Sequence, residues 1–366
     1  MNDKSEIAGS MDSRDRVAAA VRRGPLDRIP MDMWYTAETA QKLNSALGST
    51  DDIELRDALG LDVVWVWAEF AGELPSAQAG ATTMSYWGFG YRDAVYDGGT
   101  YQEYCHQPLA GIDSLQQVDD YAWPDPAAFD FASLPDKIAA ANVRSEKWVG
   151  VGESAIFERA WGLVGLEEFL ALMLTEPKLA YRIMEKINDV YIEQTLNTLR
   201  ACNGRADMVY IADDVGSQQG MLIGPGLWRD LIKPLQKKFN DAIRAQYPAT
   251  VFHYHCCGSI LPIIDDLIEI GVDILNPIQP KAAGMNADDL AARWGDSISF
   301  LGGLDTQDLL PHGSAEEVYD ECLRLIETLG KGGGYILAPA HAVQVDVPVE
   351  NVQAIVRAAE DSRHTS

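Results

Sequence analysis

Short apolar runs recur along the chain, separated by longer stretches with helical spacing. The strand candidates are IPMDMW (29–34), DVVWVWAEF (62–70), KWVGVGES (147–154), DMVYIADDV (207–215), TVFHYHCC (250–257), VDILNPI (272–278), SISFLGGLD (297–305) and GYILAPAH (334–341). Most are continuous rather than alternating, as parallel strands buried on both faces require. Helical spacing occupies 165–175, 177–200, 226–245, 259–270, 315–329 and 349–361. Eight strand–helix alternations predict an α/β fold, a (β/α)8 TIM barrel, in preference to an open doubly wound sheet. Ser13 is placed to cap a helix over DRVAAAVRR that stops at Gly24-Pro25, which gives the barrel an N-terminal helical extension. An aromatic, turn-rich segment near residues 82–110 reads as a β-hairpin insertion beside the barrel mouth. The expected organisation is a flexible tail at 1–12 and one domain over 13–366.

Composition narrows this picture. The 366 residues are 47% hydrophobic and 23% charged, which is ample for one large core. A net charge of −26, spread along the chain, repels nucleic acid and anionic lipid. No apolar run approaches the ~20 residues that span a membrane. Five scattered cysteines, two of them adjacent at Cys256 and Cys257, make a poor disulfide framework, so a cytoplasmic protein is expected.

Active sites of barrels gather where the strands end, and polar groups collect there. The positions are Trp34, Glu69, Glu153, Asp213, Asp214, His255, Cys257, Asn276, Gln279, Asp305 and His341. Side chains of a strand alternate between faces, so His253, His255 and Cys257 share one face, while Tyr254 and Cys256 point to the other. His255 and Cys257 can offer two tetrahedral zinc ligands, and His341, on a strand across the barrel, can offer a third. A His-x-Cys pair is also compatible with ordinary buried polarity. Glu153, Glu158, Asp213 and Asp214 are candidates to bind metal or exchange protons, although one aspartate of the pair is equally suited to capping a turn and Glu158 to i, i+4 support on a helix. Asp305, in GGLDTQ, is either a ligand contact or a turn cap. Trp34, Trp65, Trp67, Tyr86 and other aromatics can wall a flat or cationic ligand.

Taken together, these residues resemble the uroporphyrinogen decarboxylase superfamily, in particular its zinc-dependent, corrinoid-linked methyltransferase branch. The resemblance rests on ADDVGSQQGMLIGPGLWRDLIKPLQKK, HCCGSILPIIDDLIEIGVDILNPIQP, ISFLGGLDTQDLLP and GGGYILAPAHAVQVDVPVENV. It implies Zn²⁺ held by His255 and Cys257 and by a third residue in APAHAV. The branch usually has cysteine there and this chain has His341. It further implies catalytic roles for Asp213, Asp214 and Glu153, and substrate contacts from Trp34, Glu69, Gln279, Asn276, Asp305 and Tyr86. The implied partners are a small methyl donor or acceptor and a corrinoid (methylcobalamin) borne on a separate carrier protein, because the chain has no Asp-x-His-x-x-Gly corrinoid motif. A homodimer is left open. The region corresponding to the arginine-rich substrate grip of the decarboxylases reads MDMWYTAETAQKL, without arginine. The competing classes are a metal-free decarboxylase or lyase acting on a small carboxylate, and a non-catalytic binding barrel.

Overall fold

A computed structural model describes residues 10–96 and 99–362. Residues 1–9 of the expected tail, 97–98 of the expected insertion and 363–366 of the expected domain lie outside the described residues. Seven strands form one parallel sheet in which chain order is spatial order. They are β1 (Val63–Trp65), β2 (Trp148–Val151), β3 (Met208–Ala212), β4 (Val251–His255), β5 (Ile274–Ile278), β6 (Ser299–Leu304) and β7 (Tyr335–Pro339).

The expected first strand, 29–34, is not a regular strand; it is an extended segment bridged to β7. Pro30 has no N–H to donate, and the Met31 N–H is taken by the Asp62 carboxylate at 2.9 Å. The segment still closes the ring. Leu337 N–H donates to the Pro30 carbonyl (2.9 Å), Asp32 N–H to that of Leu337 (3.1 Å), and Asp62 N–H to that of Met31 (2.8 Å). With this eighth stave the fold is a (β/α)8 barrel.

The period of two along the strands separates two cores. Val63, Trp148, Met208, Ile274, Leu301, Ile336 and Ala338 cluster inside the barrel with Val17 of the N-terminal helix, Ser13–Val21. That helix packs on β1, β2 and β7 and plugs the end opposite the mouth. Val149, Val209, Phe252, Tyr254, Leu275 and Tyr335 point outward and pack among the helices. The plug is fastened by Asp62, which is fully buried. It accepts hydrogen bonds from Arg16 Nη1 (2.6 Å) and Arg28 Nη1 (2.8 Å).

Several local boundaries differ from the sequence expectation. Asp12 caps the first helix in place of Ser13, accepting the Asp15 N–H, and Met11 N–H is bound to Asp27. The helix expected over 226–245 is two, Pro225–Leu231 and Lys233–Gln246, because Pro234 cannot donate back along a continuous helix. The insertion is a three-stranded antiparallel sheet, Thr83–Met84, Gly90–Tyr96 and Gly99–His106, so a short third strand accompanies the hairpin. All five cysteines are free thiols. Among the described residues no helix is long and apolar enough to cross a membrane.

Candidate metal centre

His255 is the last residue of β4 and points into the barrel. Its in-register neighbour on β5 is Asn276. The Asn276 Nδ2 donates to the Leu301 carbonyl on β6 (3.1 Å), which turns its Oδ1 toward the imidazole Nδ1 at 2.6 Å. The Nδ1 therefore carries the proton, and the Nε2 lone pair is free. Nε2 lies 3.6 Å from the Cys257 Sγ. His341, just beyond β7, approaches from across the mouth. One ligand atom from each of His255, Cys257 and His341 lies within 4.8 Å of the others.

The chain turns sharply after Cys257. Gly258 adopts φ +78°, and a Cβ there would meet the Ser217 backbone nitrogen at 2.5 Å. The turn is held by two side chains: Asp214 accepts the Cys257 N–H (2.6 Å) and Gln279 accepts the Gly258 N–H (2.8 Å). Burial, reinforced by the Asp214 charge, pushes the Cys257 thiol up to about 12. Such a thiol is a poor nucleophile by itself and ionises readily only beside a cation. Burial holds His255 below its ordinary value and so keeps it neutral, as a ligand must be. Two imidazoles and one thiol make a donor set that fits Zn²⁺.

Aromatic rings surround this centre. Trp34 stacks on His255 (centroids 5.6 Å, 17°), and beneath them His253 stacks on Tyr210 at 5.4 Å. His253 is fully buried, neither ring nitrogen has a protein partner, and burial lowers it to about 3.

Carboxylates lie close to this centre as well. Glu153 receives Arg159 Nη2 at 2.5 Å, and Arg159 Nε donates to the Tyr191 hydroxyl. Burial, and then the nearby Asp214, raises Glu158 to about 7. Burial raises Tyr210, followed by the charges of Glu153, Glu158, Asp214 and Cys257, so these groups share one neighbourhood.

The structure thus gathers Trp34, Glu153, Asp214, Asn276 and Gln279 around His255, Cys257 and His341. Tyr86 stacks on Phe70 at 4.9 Å, and its hydroxyl feels the charge of Glu153. Three expected residues are committed elsewhere. Asp213 is fully buried and accepts the Phe157 and Glu158 N–H groups (2.8 and 3.0 Å), capping the helix Ile156–Val164. Glu69 is exposed and pairs with Lys137 at 2.8 Å. Asp305 accepts three backbone N–H groups of its own turn and pairs with Lys281. Arg159 and Tyr210 are site residues that the sequence reading did not select, and Glu158, which it weighed against ordinary helix support, joins them. The Tyr210 signal was available, since it occupies the inner face of its strand just as His253 does.

The model of the family described as uroporphyrinogen decarboxylase (URO-D) matches residues 101–362. A methylated-thiol–coenzyme M methyltransferase of Methanosarcina mazei is 24% identical over 255 residues, 67% of this chain and 62% of that protein. The chain thus spans about three fifths of that relative. A methylcobamide:CoM methyltransferase MtaA of Methanosarcina barkeri is 26% identical over 43% of this chain and 42% of its own. A uroporphyrinogen decarboxylase of Chlorobium phaeobacteroides is 25% identical over 50% of each chain. A solved structure described as a methyltransferase from Methanosarcina mazei superposes with TM-score 0.69 at 19% identity, covering 96% of this chain and 99% of that one, which shows the shared fold.

Proposed function

The chain belongs to the uroporphyrinogen decarboxylase family, and from that premise we propose that it is a zinc-dependent methyltransferase. It moves a methyl group between a small methylated substrate or thiol and a corrinoid borne on a partner protein. The observation that carries this reading is the convergence of His255, Cys257 and His341, with ligand atoms within 4.8 Å of one another. The two methyltransferase relatives support the reaction class.

His255, Cys257 and His341 would hold the ion. When bound, zinc supplies Lewis acidity that lowers the pKa of a substrate thiol or polarises the heteroatom carrying the methyl group. The chain contributes the rest. Asn276 fixes the His255 tautomer, and Asp214 and Gln279 fix the backbone on either side of the Cys257–Gly258 bond. Glu158, poised near neutrality, exchanges the proton of a substrate thiol. Trp34 and Tyr210 exclude water from the face of His255. The acidic rim of Glu153, Glu158 and Asp214 disfavours a substrate as rich in carboxylates as a porphyrinogen.

The test compares wild type with Cys257→Ala and His341→Ala by metal analysis and by methylation of cob(I)alamin, followed by absorbance. Wild type is expected to hold about one zinc per chain, and both variants to lose zinc and turnover together. Stoichiometric zinc in both variants sinks the site.

A further inference from the structure

Three tryptophans singled out in the sequence, Trp34, Trp65 and Trp67, meet beside the metal centre. With Tyr35, Arg56 and Ala342 they line a cavity of about 390 Å³, a volume that suits a small organic molecule. It adjoins the centre at two points: Trp34 stacks on His255, and Ala342 follows His341. Trp65 and Trp67 are parallel (centroids 5.9 Å, 7°), and Trp34 stands edge-on to Trp65 at 5.7 Å. Tyr210 is edge-on to both Trp65 and Trp67, at 5.4 and 5.6 Å. The array is held in place. Trp65 Nε1–H donates to buried Asp32 at 3.0 Å, and the Trp67 carbonyl accepts Lys137 Nζ at 3.1 Å. Trp67 is nevertheless 40% exposed, the most open ring of the wall.

Charge decides the class of ligand. Arg56 is the one charged side chain lining the cavity, and it is already balanced: its Nε donates to Asp52 at 2.8 Å, and its Cζ lies 5.4 Å from the centroid of the Tyr35 ring. Asp52 is also shared, since it accepts the Tyr35 hydroxyl at 2.6 Å. Asp32, bonded to Trp65, is pushed by burial toward its neutral form. An ion of either sign entering among the indoles would give up hydration and meet only charges that are paired or suppressed. A flat uncharged ring leaves water at a gain and stacks against fixed indole faces. The open face of Trp67 is where such a ring has room, and the metal centre lies next to it.

We propose that Trp67 is the specificity-determining residue of this cavity and that the substrate is a small uncharged aromatic molecule, its ring stacked on Trp67 and its methylated heteroatom turned toward His255 and His341. This rests on the methyl-transfer reading for the chemistry, and it does not need that reading for binding. In that chemistry the bond between heteroatom and methyl breaks. The methyl carbon takes the electron pair of the cobalt(I) on the partner's corrinoid, and the heteroatom keeps the old bonding pair, which the aromatic ring delocalises.

The test is calorimetric titration of the full chain with four probes of similar size: 4-methoxybenzyl alcohol, its ring-saturated counterpart (4-methoxycyclohexyl)methanol, the anion 4-methoxybenzoate and the cation 4-methoxybenzylammonium. Titration needs neither corrinoid nor turnover, so its failure is separable from that of the methyl-transfer reading. Wild type should bind the aromatic alcohol about five-fold or more tighter than each of the other three. Trp67→Leu, a change at the most open ring of the wall, should bring the aromatic and ring-saturated alcohols to equal affinity. Equal binding of those two alcohols by wild type, which requires no variant to fold, overturns the aromatic class. Either ion binding as tightly as the aromatic alcohol overturns the charge assignment. A Trp67→Leu protein that keeps the full preference for the aromatic ring overturns the role of Trp67, and failure of wild type to bind any of the four overturns the cavity as a substrate site.

Discussion

Asn276 is the residue whose removal should separate metal affinity from the ligands themselves. It touches no metal position; it holds His255 Nδ1 at 2.6 Å and is itself held by the Leu301 carbonyl at 3.1 Å, with both side chains buried. Asn276→Ala strands two buried groups, the imidazole N–H and the Leu301 carbonyl. At about 1–3 kcal/mol for each stranded group, the metal-free protein should lose about 2–6 kcal/mol of stability. The unanchored imidazole also becomes free to rotate and to change tautomer, and losing such an outer support typically weakens metal binding about 10–100-fold. Competition for zinc with a chromophoric chelator reads this directly, and urea unfolding of the metal-free protein reads the stability loss. Asn276→Asp keeps an acceptor facing Nδ1 and should bind zinc at least as tightly as wild type. The reasoning is refuted if Asn276→Ala holds zinc with wild-type affinity, or if the aspartate variant fares no better than the alanine.

Two further outcomes follow from buried charge. Asp62→Ala leaves Arg28 without its carboxylate partner and Arg16 with Asp27 alone, so it should cost about 3–5 kcal/mol in denaturant unfolding, and a loss under about 1 kcal/mol would contradict the fastening described. The folded Glu158 carboxyl keeps its proton up to about pH 7, whereas the unfolded chain releases it near the ordinary 4.5. Between those values the folded state binds more protons, so stability falls as pH rises through the window, by up to about 3 kcal/mol. Glu158→Gln should gain on wild type over the same interval, and parallel stability profiles for the two proteins would remove Glu158 from the reading.

Much of this was legible because barrels make local pattern and global position agree. Continuous apolar runs marked every regular strand of the barrel, and the period of two assigned His255 and Cys257 to the interior and Cys256 to the outside. Placing His341 opposite them needed only the order of strands around a closed ring. The failures share a cause in contacts between elements that no local pattern records. Asp213 and Asp214 are indistinguishable in ADDVG, and only the arrival of the helix at Ile156–Val164 decides which one is consumed as its cap. Asp305 and Glu69 stand at strand ends as expected, yet Lys281 and Lys137, from other segments, engage them.

The eighth stave has one more consequence. β6 and β7 are paired through five successive residues, whereas the segment before β1 meets β7 through a single bridge at Met31–Leu337 and another beyond it at Tyr35–Val343. Next to the β6–β7 joint this seam is less regularly stitched, and a cavity of about 390 Å³ lies across it, with Trp34 and Tyr35 on one lip and Ala342 on the other. Elements with few backbone bonds open at lower free energy than the cores beside them. A molecule lodged between those lips would act as a rivet: its binding energy and the closure of the barrel become one quantity, so the tightness of the ring is set partly by what the cavity holds.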